Sequence, residues 1–195
     1  PVLPERYSHT HDPFVALSFA AAATRKLKVG TGIALIPQRD PIVTAKLVSS
    51  LDFLSNGRFL FGIGGGWNAE EMENHGARYE TRFKLMRERV LAMKALWMQE
   101  QAEFHGEFVN FDPAWQHPKP KQRPHPPIYA SATLTPESFV WTAKRGFHLA
   151  TACFVPNKQG VKSGIELYRK TLEESGTDPG TREVAGVFQM YCGET

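Results

Sequence analysis

Residues 58–67 read Arg-Phe-Leu-Phe-Gly-Ile-Gly-Gly-Gly-Trp, a short apolar run closed by three glycines. A strand wetted on one face alternates apolar with polar residues. Arg58 to Ile63 does not, so it is expected to be buried on both faces of a parallel sheet. The glycines Gly64-Gly65-Gly66 end it. Just upstream, Pro41 opens a helix capped by Asp40 and closed by Ser55-Asn56-Gly57. Its core stripe is expected to be Ile42, Ala45, Ser49 and Asp52, widened by Leu47, Val48, Leu51 and Leu54. Further downstream, Phe83, Met86, Val90, Met93 and Trp97 recur at helical spacing, with Lys84, Arg87, Glu88 and Lys94 opposite.

The same alternation of element types runs outward in both directions. Phe14 to Ala23 is an alanine-rich helix with Asp12 as its cap and Pro13 at its first position. Lys28 to Ile36 is a strand carrying Gly30 and Gly32, and glycine inside a strand marks a bulge or a close approach. Glu103 to Asp112 forms a small hairpin around His105-Gly106. Pro113 to Pro127 holds six prolines and reads as an irregular surface excursion. Then follow strand Ile128 to Ala132, helix Pro136 to Arg145, strand Phe147 to Phe154, helix Lys158 to Ser175 and strand Val184 to Cys192.

Repeated βα units mean parallel strands covered by helices. Two closures fit the pattern, an open doubly wound sheet or a (β/α)₈ barrel, and five strands alone do not separate them. A full barrel takes about 250 residues. A chain of 195 residues that begins at Pro1 and stops just after a strand is therefore expected to be a partial barrel, one domain over 1–195 lacking the first two strands and the last.

With 42% hydrophobic and 22% charged residues the chain is an ordinary globular one, expected in the cytoplasm. A net charge of +3 is too small and dispersed to call for nucleic acid or a membrane surface. Cys153 and Cys192 stand in apolar stretches without CxxC spacing and are expected to be buried free thiols. No GxSxG, HExxH or P-loop occurs.

The run 61–67 first suggests a dinucleotide fingerprint. It fails at the sixth position, where Trp67 replaces the glycine that allows close helix-to-strand packing, and no acidic residue ends a next strand. A looser reading survives, because glycines between a strand and a helix can present amides to a phosphate. Glu70 and Glu71 in the first helical turn oppose an anion on the axis, and a tight turn would equally explain the glycines.

Val-Gly-Thr-Gly-Ile at 29–33, Pro-Gln-Arg-Asp-Pro at 37–41, Leu-Asp-Phe-Leu-Ser-Asn-Gly-Arg-Phe at 51–59, Gly-Ile-Gly-Gly-Gly-Trp-Asn-Ala-Glu-Glu at 62–71 and Arg-Phe-Lys-Leu-Met-Arg-Glu-Arg at 82–89 together resemble luciferase-like monooxygenases. The branch most similar is the coenzyme F420-dependent one. The resemblance is dense from Asp12 to Trp97 and weak beyond Thr135.

It implies a (β/α)₈ barrel (TIM barrel) with a flavin or deazaflavin ring at the C-terminal strand ends. It further implies a bulge with a non-proline cis peptide against the ring, which falls at Gly32-Ile33. Thr31, Gly32, Ile33 and Ala34 become the ring-contact candidates, although Gly30 and Gly32 would also relieve crowding inside a barrel. The cofactor phosphate would lie near Gly64, Gly65, Gly66, Ser131 and Ala132. Tyr-Ala-Ser-Ala-Thr at 129–133 departs from the glycines of many relatives. The expected activity is F420-dependent hydride transfer to or from a small organic substrate, with FMN-dependent monooxygenation as the alternative. A flavoprotein barrel that binds or dimerises without turnover is the third reading, and the full-length protein is a candidate homodimer.

No catalytic residue is assigned, since the absent first strands often carry it. His9 and His11 can line the active-site mouth, and no metal site is expected from them. Lys119, Lys121 and Arg123 can meet an anionic cofactor tail or form a solvated surface.

Overall fold

The computed structural model describes residues 10–188. Helix α1 (Pro13–Ala23) starts where Asp12 accepts the amides of Phe14 and Val15. The first barrel strand is split into β1 (Val29–Gly30) and β2 (Ala34–Leu35), so the expected strand 28–36 is two short pieces around a bulge. Helix α2 (Pro41–Leu54) is capped by Asp40, and β3 (Phe59–Gly64) follows a turn in which Asn56 and Gly57 take positive φ.

A short α3 (Ala69–Asn74) begins at Asn68 and precedes the long α4 (Arg82–Met98). The hairpin is β4 (Ala102–His105) with β5 (Asn110–Ala114), running two residues into the segment expected to be irregular. Then come β6 (Ile128–Ser131), α5 (Pro136–Lys144), β7 (His148–Ala152), α6 (Lys158–Glu174) and β8 (Val184–Val187). Cys192 and the expected strand beyond residue 188 lie outside the described residues, as does His9.

Strand order settles the closure. The sheet runs β1-β3-β6-β7-β8, with β2 also on β3, and every pairing is parallel. Each strand lies beside its predecessor in the chain, without the reversal that defines a doubly wound sheet. Five adjacent barrel positions are therefore filled in one rotational sense, a half-barrel.

The core lies between the helices and the convex face. Phe59, Phe61 and Ile63 point toward the helices, and a chain of aromatic contacts runs from Phe14 through Phe59 and Phe61 to Trp97, with ring centroids about 6 Å apart (6.2, 6.1 and 5.9 Å). Their neighbours Leu60 and Gly62 line the concave side.

Two expectations need correction. In α2 the buried stripe is Thr44, Ala45, Val48, Ser49, Leu51 and Asp52, while Ile42, Leu47 and Leu54 are exposed. The helix packs against α1, α4 and the sheet, and the apolar residues off the stripe it buries there stay exposed. Cys153 is half-exposed, because β7 ends at Ala152 and leaves it in a loop. On the polar side of α4 the Glu88 carboxylate accepts the amides of Glu107, Phe108 and Val109 and so fastens the hairpin loop.

The proline-rich excursion is likewise tied down. Asp52, fully buried, accepts the amide and the side-chain Nε2 of Gln122 at 2.8 and 2.7 Å. Lys119 Nζ donates to the carbonyls of Leu96 and Gln99 at the end of α4, so it serves the scaffold. Lys121 bonds Asn56.

Candidate functional site

The concave face encloses a cavity of about 220 Å³ lined by the bulge, Gly30 to Ile33, and by inward-facing residues of β3, β6, β7 and β8. The bulge has a local cause. The Thr31 carbonyl oxygen stands only 1.9 Å from where a Cβ on Gly62 would be, an approach that only glycine permits. Thr31 Oγ1 also donates to the Gly62 carbonyl at 2.6 Å, in a buried contact. Chain and strand are thus pinned together at one point while the ladder is interrupted between Gly30 and Ala34.

Beyond that pin, the Gly32-Ile33 peptide is cis, as the resemblance implied. Gly32 is exposed, and the place its Cβ would take is open space. Ile33 lies over the glycines of β3: a Cβ on Gly64 would come within 2.0 Å of Ile33 Cδ1, and one on Gly62 within 3.4 Å of Ile33 Cγ2. Ala34 is buried in the main core, facing the helices, so only its backbone belongs to this side.

The three glycines have separate packing reasons. Gly64 makes room for Ile33, Gly65 for the Phe83 ring at 2.8 Å, and Gly66, at φ 78°, for Met72. Ser131, half-buried, lies beside Gly64, with its Cβ 3.5 Å from the added methyl position. Ala132 turns the other way and packs in the second core with Phe139 and Leu149. Thr31, Gly32, Ile33, Gly64 and Ser131 are therefore together at the C-terminal strand ends on the concave side. Gly65 and Gly66 lead out of it. His11 is exposed just before α1, away from any group of ligating side chains. Among the described residues no three His, Cys, Asp or Glu side chains are placed to hold a metal.

Sequence reasoning passed over a polar cluster lower in the same cavity. Tyr129 and His148 stack with centroids 4.7 Å apart, and the Tyr129 hydroxyl donates to the Glu183 carboxylate. The Glu183 amide donates to His148 Nδ1 at 2.9 Å, which fixes the neutral tautomer with its proton on Nε2. Burial, then the Glu183 hydrogen bond and charge, push the Tyr129 phenol well above its ordinary range. Burial lowers His148, against the opposing charge of Glu183. The period-two alternation in Ile128 to Ser131 does put Tyr129 and Ser131 on one face, and that signal was available. The pairing of Tyr129 with Glu183, 54 residues away, was not.

The upper part of the cavity is uncharged and offers backbone and small side chains, which suits a flat ring laid against it. The lower cluster is hydrogen-bonded within itself.

The family model described as luciferase-like monooxygenase matches residues 2–195. An uncharacterized protein of Mycobacterium tuberculosis (strain ATCC 25618 / H37Rv) is 44% identical over 174 residues, 89% of this chain and 60% of the relative. The FMNH(2)-dependent dimethylsulfone monooxygenase of Pseudomonas putida is 35% identical over 111 residues, 55% of this chain and 30% of that protein. Among solved structures, an F420-dependent secondary alcohol dehydrogenase in complex with an F420-acetone adduct superposes with a TM-score of 0.79 at 25% identity, covering 91% of this chain and 54% of that one. The chain thus spans 60% or less of the length of each of these proteins. No helix among the described residues is long and apolar enough to cross a membrane.

Proposed function

Because the chain belongs to the luciferase-like monooxygenase family, we propose that it forms the cofactor-holding half of an oxidoreductase barrel that uses a deazaflavin or flavin, with F420 favoured. The observation that carries this reading is Gly32, exposed at an interrupted strand with open space in front of it, on the concave face at the strand ends where barrel active sites lie. A ring can lie flat against backbone there without meeting a side chain.

Thr31, Gly32 and Ile33 would support the ring, Ile33 from its seat over Gly62 and Gly64. Gly65, Gly66 and Ser131 would border the cofactor phosphate. The cofactor supplies hydride transfer when bound, and the chain's part is to hold the ring, orient it and keep water off one face. F420 is supported by the density of the resemblance from Asp12 to Trp97 and by the alcohol dehydrogenase superposition. FMN-dependent monooxygenation is the second reading, favoured by the Pseudomonas putida relative. The substrate is a small organic molecule.

Mixing the full-length protein with F420 and with FMN tests this directly. Saturable quenching of cofactor fluorescence is expected for one of them. Absence of quenching with both would overturn the reading.

A further inference from the structure

The layer of helices on the convex side of the sheet has a seam. α4 packs on α2 and α5 on α6, while the backbones of α4 and α5 stand further apart. Trp141 and Phe147 lie in this seam edge to face, with ring centroids 5.6 Å apart. The Arg87 guanidinium is 5.4 Å from the Trp141 centroid and the Lys94 ammonium 5.3 Å from the Phe147 centroid. Arg87 and Lys94 are two turns apart on one face of α4. Arg145, which ends α5, comes one turn after Trp141 on the same side and bonds its amide to the Trp141 carbonyl. Two cations on one helix thus face a third on the next.

Ordinary packing accounts for each of them singly. A cation over a ring is weakly favoured, and a basic residue at a helix end suits the last carbonyls. Neither accounts for gathering three like charges. Burial, and after it the charge of Arg145, lowers the pKa of both Arg87 and Lys94. Two donors of the seam, Arg87 Nε and the Trp141 indole N–H, are buried with no acceptor among the described residues, although buried donors are ordinarily satisfied. Glu88, next to Arg87 in sequence, has its carboxylate taken up by the hairpin amides. α4 and α5 follow β3 and β6, neighbours inside the sheet order β1-β3-β6-β7-β8, so strands that complete a barrel join at β1 and β8 and not over this seam.

We propose that Arg87, Lys94 and Arg145 form a binding site for a phosphate-type dianion on the outer, helical side of the half-barrel. Phe147 belongs to the core between sheet and helices, so the sheet separates this site from the concave cavity. The two guanidinium groups present planar forks of donors that match phosphate oxygens, and Lys94 adds a compact charge. A dianion neutralises more of the cluster than one carboxylate does and brings an acceptor to the buried donors. Inorganic phosphate, a phosphomonoester and a diphosphate share this chemistry.

The test is titration of the full-length protein at low ionic strength with sodium phosphate, pyrophosphate and acetate, read by calorimetry and tryptophan fluorescence. Saturable binding is expected for pyrophosphate and phosphate, with acetate at least tenfold weaker. R145Q and R87Q are each expected to weaken pyrophosphate about tenfold or more, the effect of losing a charge-assisted hydrogen bond. K26Q, in the turn after α1, is expected to leave it unchanged. Arg145 is exposed, so R145Q carries the test if R87Q does not fold. Lack of saturable binding, acetate binding as tightly as phosphate, or affinity unchanged by R145Q overturns the proposal. The last outcome assigns the phosphate to another face, the cofactor mouth included.

Discussion

Ile33 occupies the space that a side chain on Gly64 would need: Ile33 Cδ1 lies 2.0 Å from the Cβ position of that glycine. The residues are 31 apart in sequence and meet because β2 pairs with the end of β3, Leu35 opposite Gly64. The bulge and the glycine-rich strand end are therefore one unit, and perturbing either moves the other.

Gly64→Ala should force Ile33 off its seat and destabilise the protein by about 1–3 kcal/mol, the usual cost of overpacking. Cofactor affinity should fall with it. Denaturant midpoints at unchanged m-value, beside fluorescence titration, check both.

Gly32→Ala should separate the two effects. No atom lies within 4 Å of the added methyl, so stability should stay within about 0.5 kcal/mol of wild type, as for other changes away from contacts. The methyl would stand between backbone and ring, and the dissociation constant for the cofactor should rise about tenfold or more, roughly 1.4 kcal/mol. Unchanged affinity would remove Gly32 from the ring site.

Asp52→Ala should cost about 2–3 kcal/mol, because the Gln122 amide and side chain lose their buried acceptor. Asp52→Asn should cost less, since one oxygen remains to accept. Thermal unfolding of the two variants ranks them, and faster proteolysis within 113–127 should accompany the alanine change.

His148 gives a pH dependence with a definite sign. Its folded pKa is lowered by burial below the ordinary 6.5, with Arg182 adding to the effect and Glu183 opposing it. The unfolded chain therefore binds the proton first as pH falls. The stability from keeping His148 neutral is fully present above about pH 6.5 and is lost as pH drops through the folded pKa. His125 is lowered by burial in the same direction and adds to the slope. Replacing His148 with Gln should make stability measured between pH 7 and 5 shallower in its decline, and a wild-type curve flat over that range would sink the prediction.

Much of the fold was legible because its signals are local. Asp12-Pro13 and Asp40-Pro41 cap helices within three residues of themselves, and the unbroken apolar run at 58–63 announces a strand covered on both faces. The α2 stripe was misread because Ile42, Leu47 and Leu54 are apolar yet remain exposed, and which side of a helix finds cover depends on elements elsewhere in the chain. Within the site, Gly32 and Ile33 were reached through a resemblance to known sequences. Tyr129, His148 and Glu183 were missed because a hydrogen-bonded cluster drawn from two strands and the segment leading into a third leaves no spacing pattern.

The sequence by itself determined the order of βα units, the helix caps, the break in the first strand and the family resemblance, all of which reside in short windows. Only the tertiary structure decided that the strands are laid down in chain order as a half-barrel, that Gly62 and Gly64 exist for Thr31 and Ile33, and that Lys119 and Asp52 serve the scaffold. Those outcomes depend on which distant surfaces come into van der Waals contact. Backbone propensity does not encode that distance, and packing does.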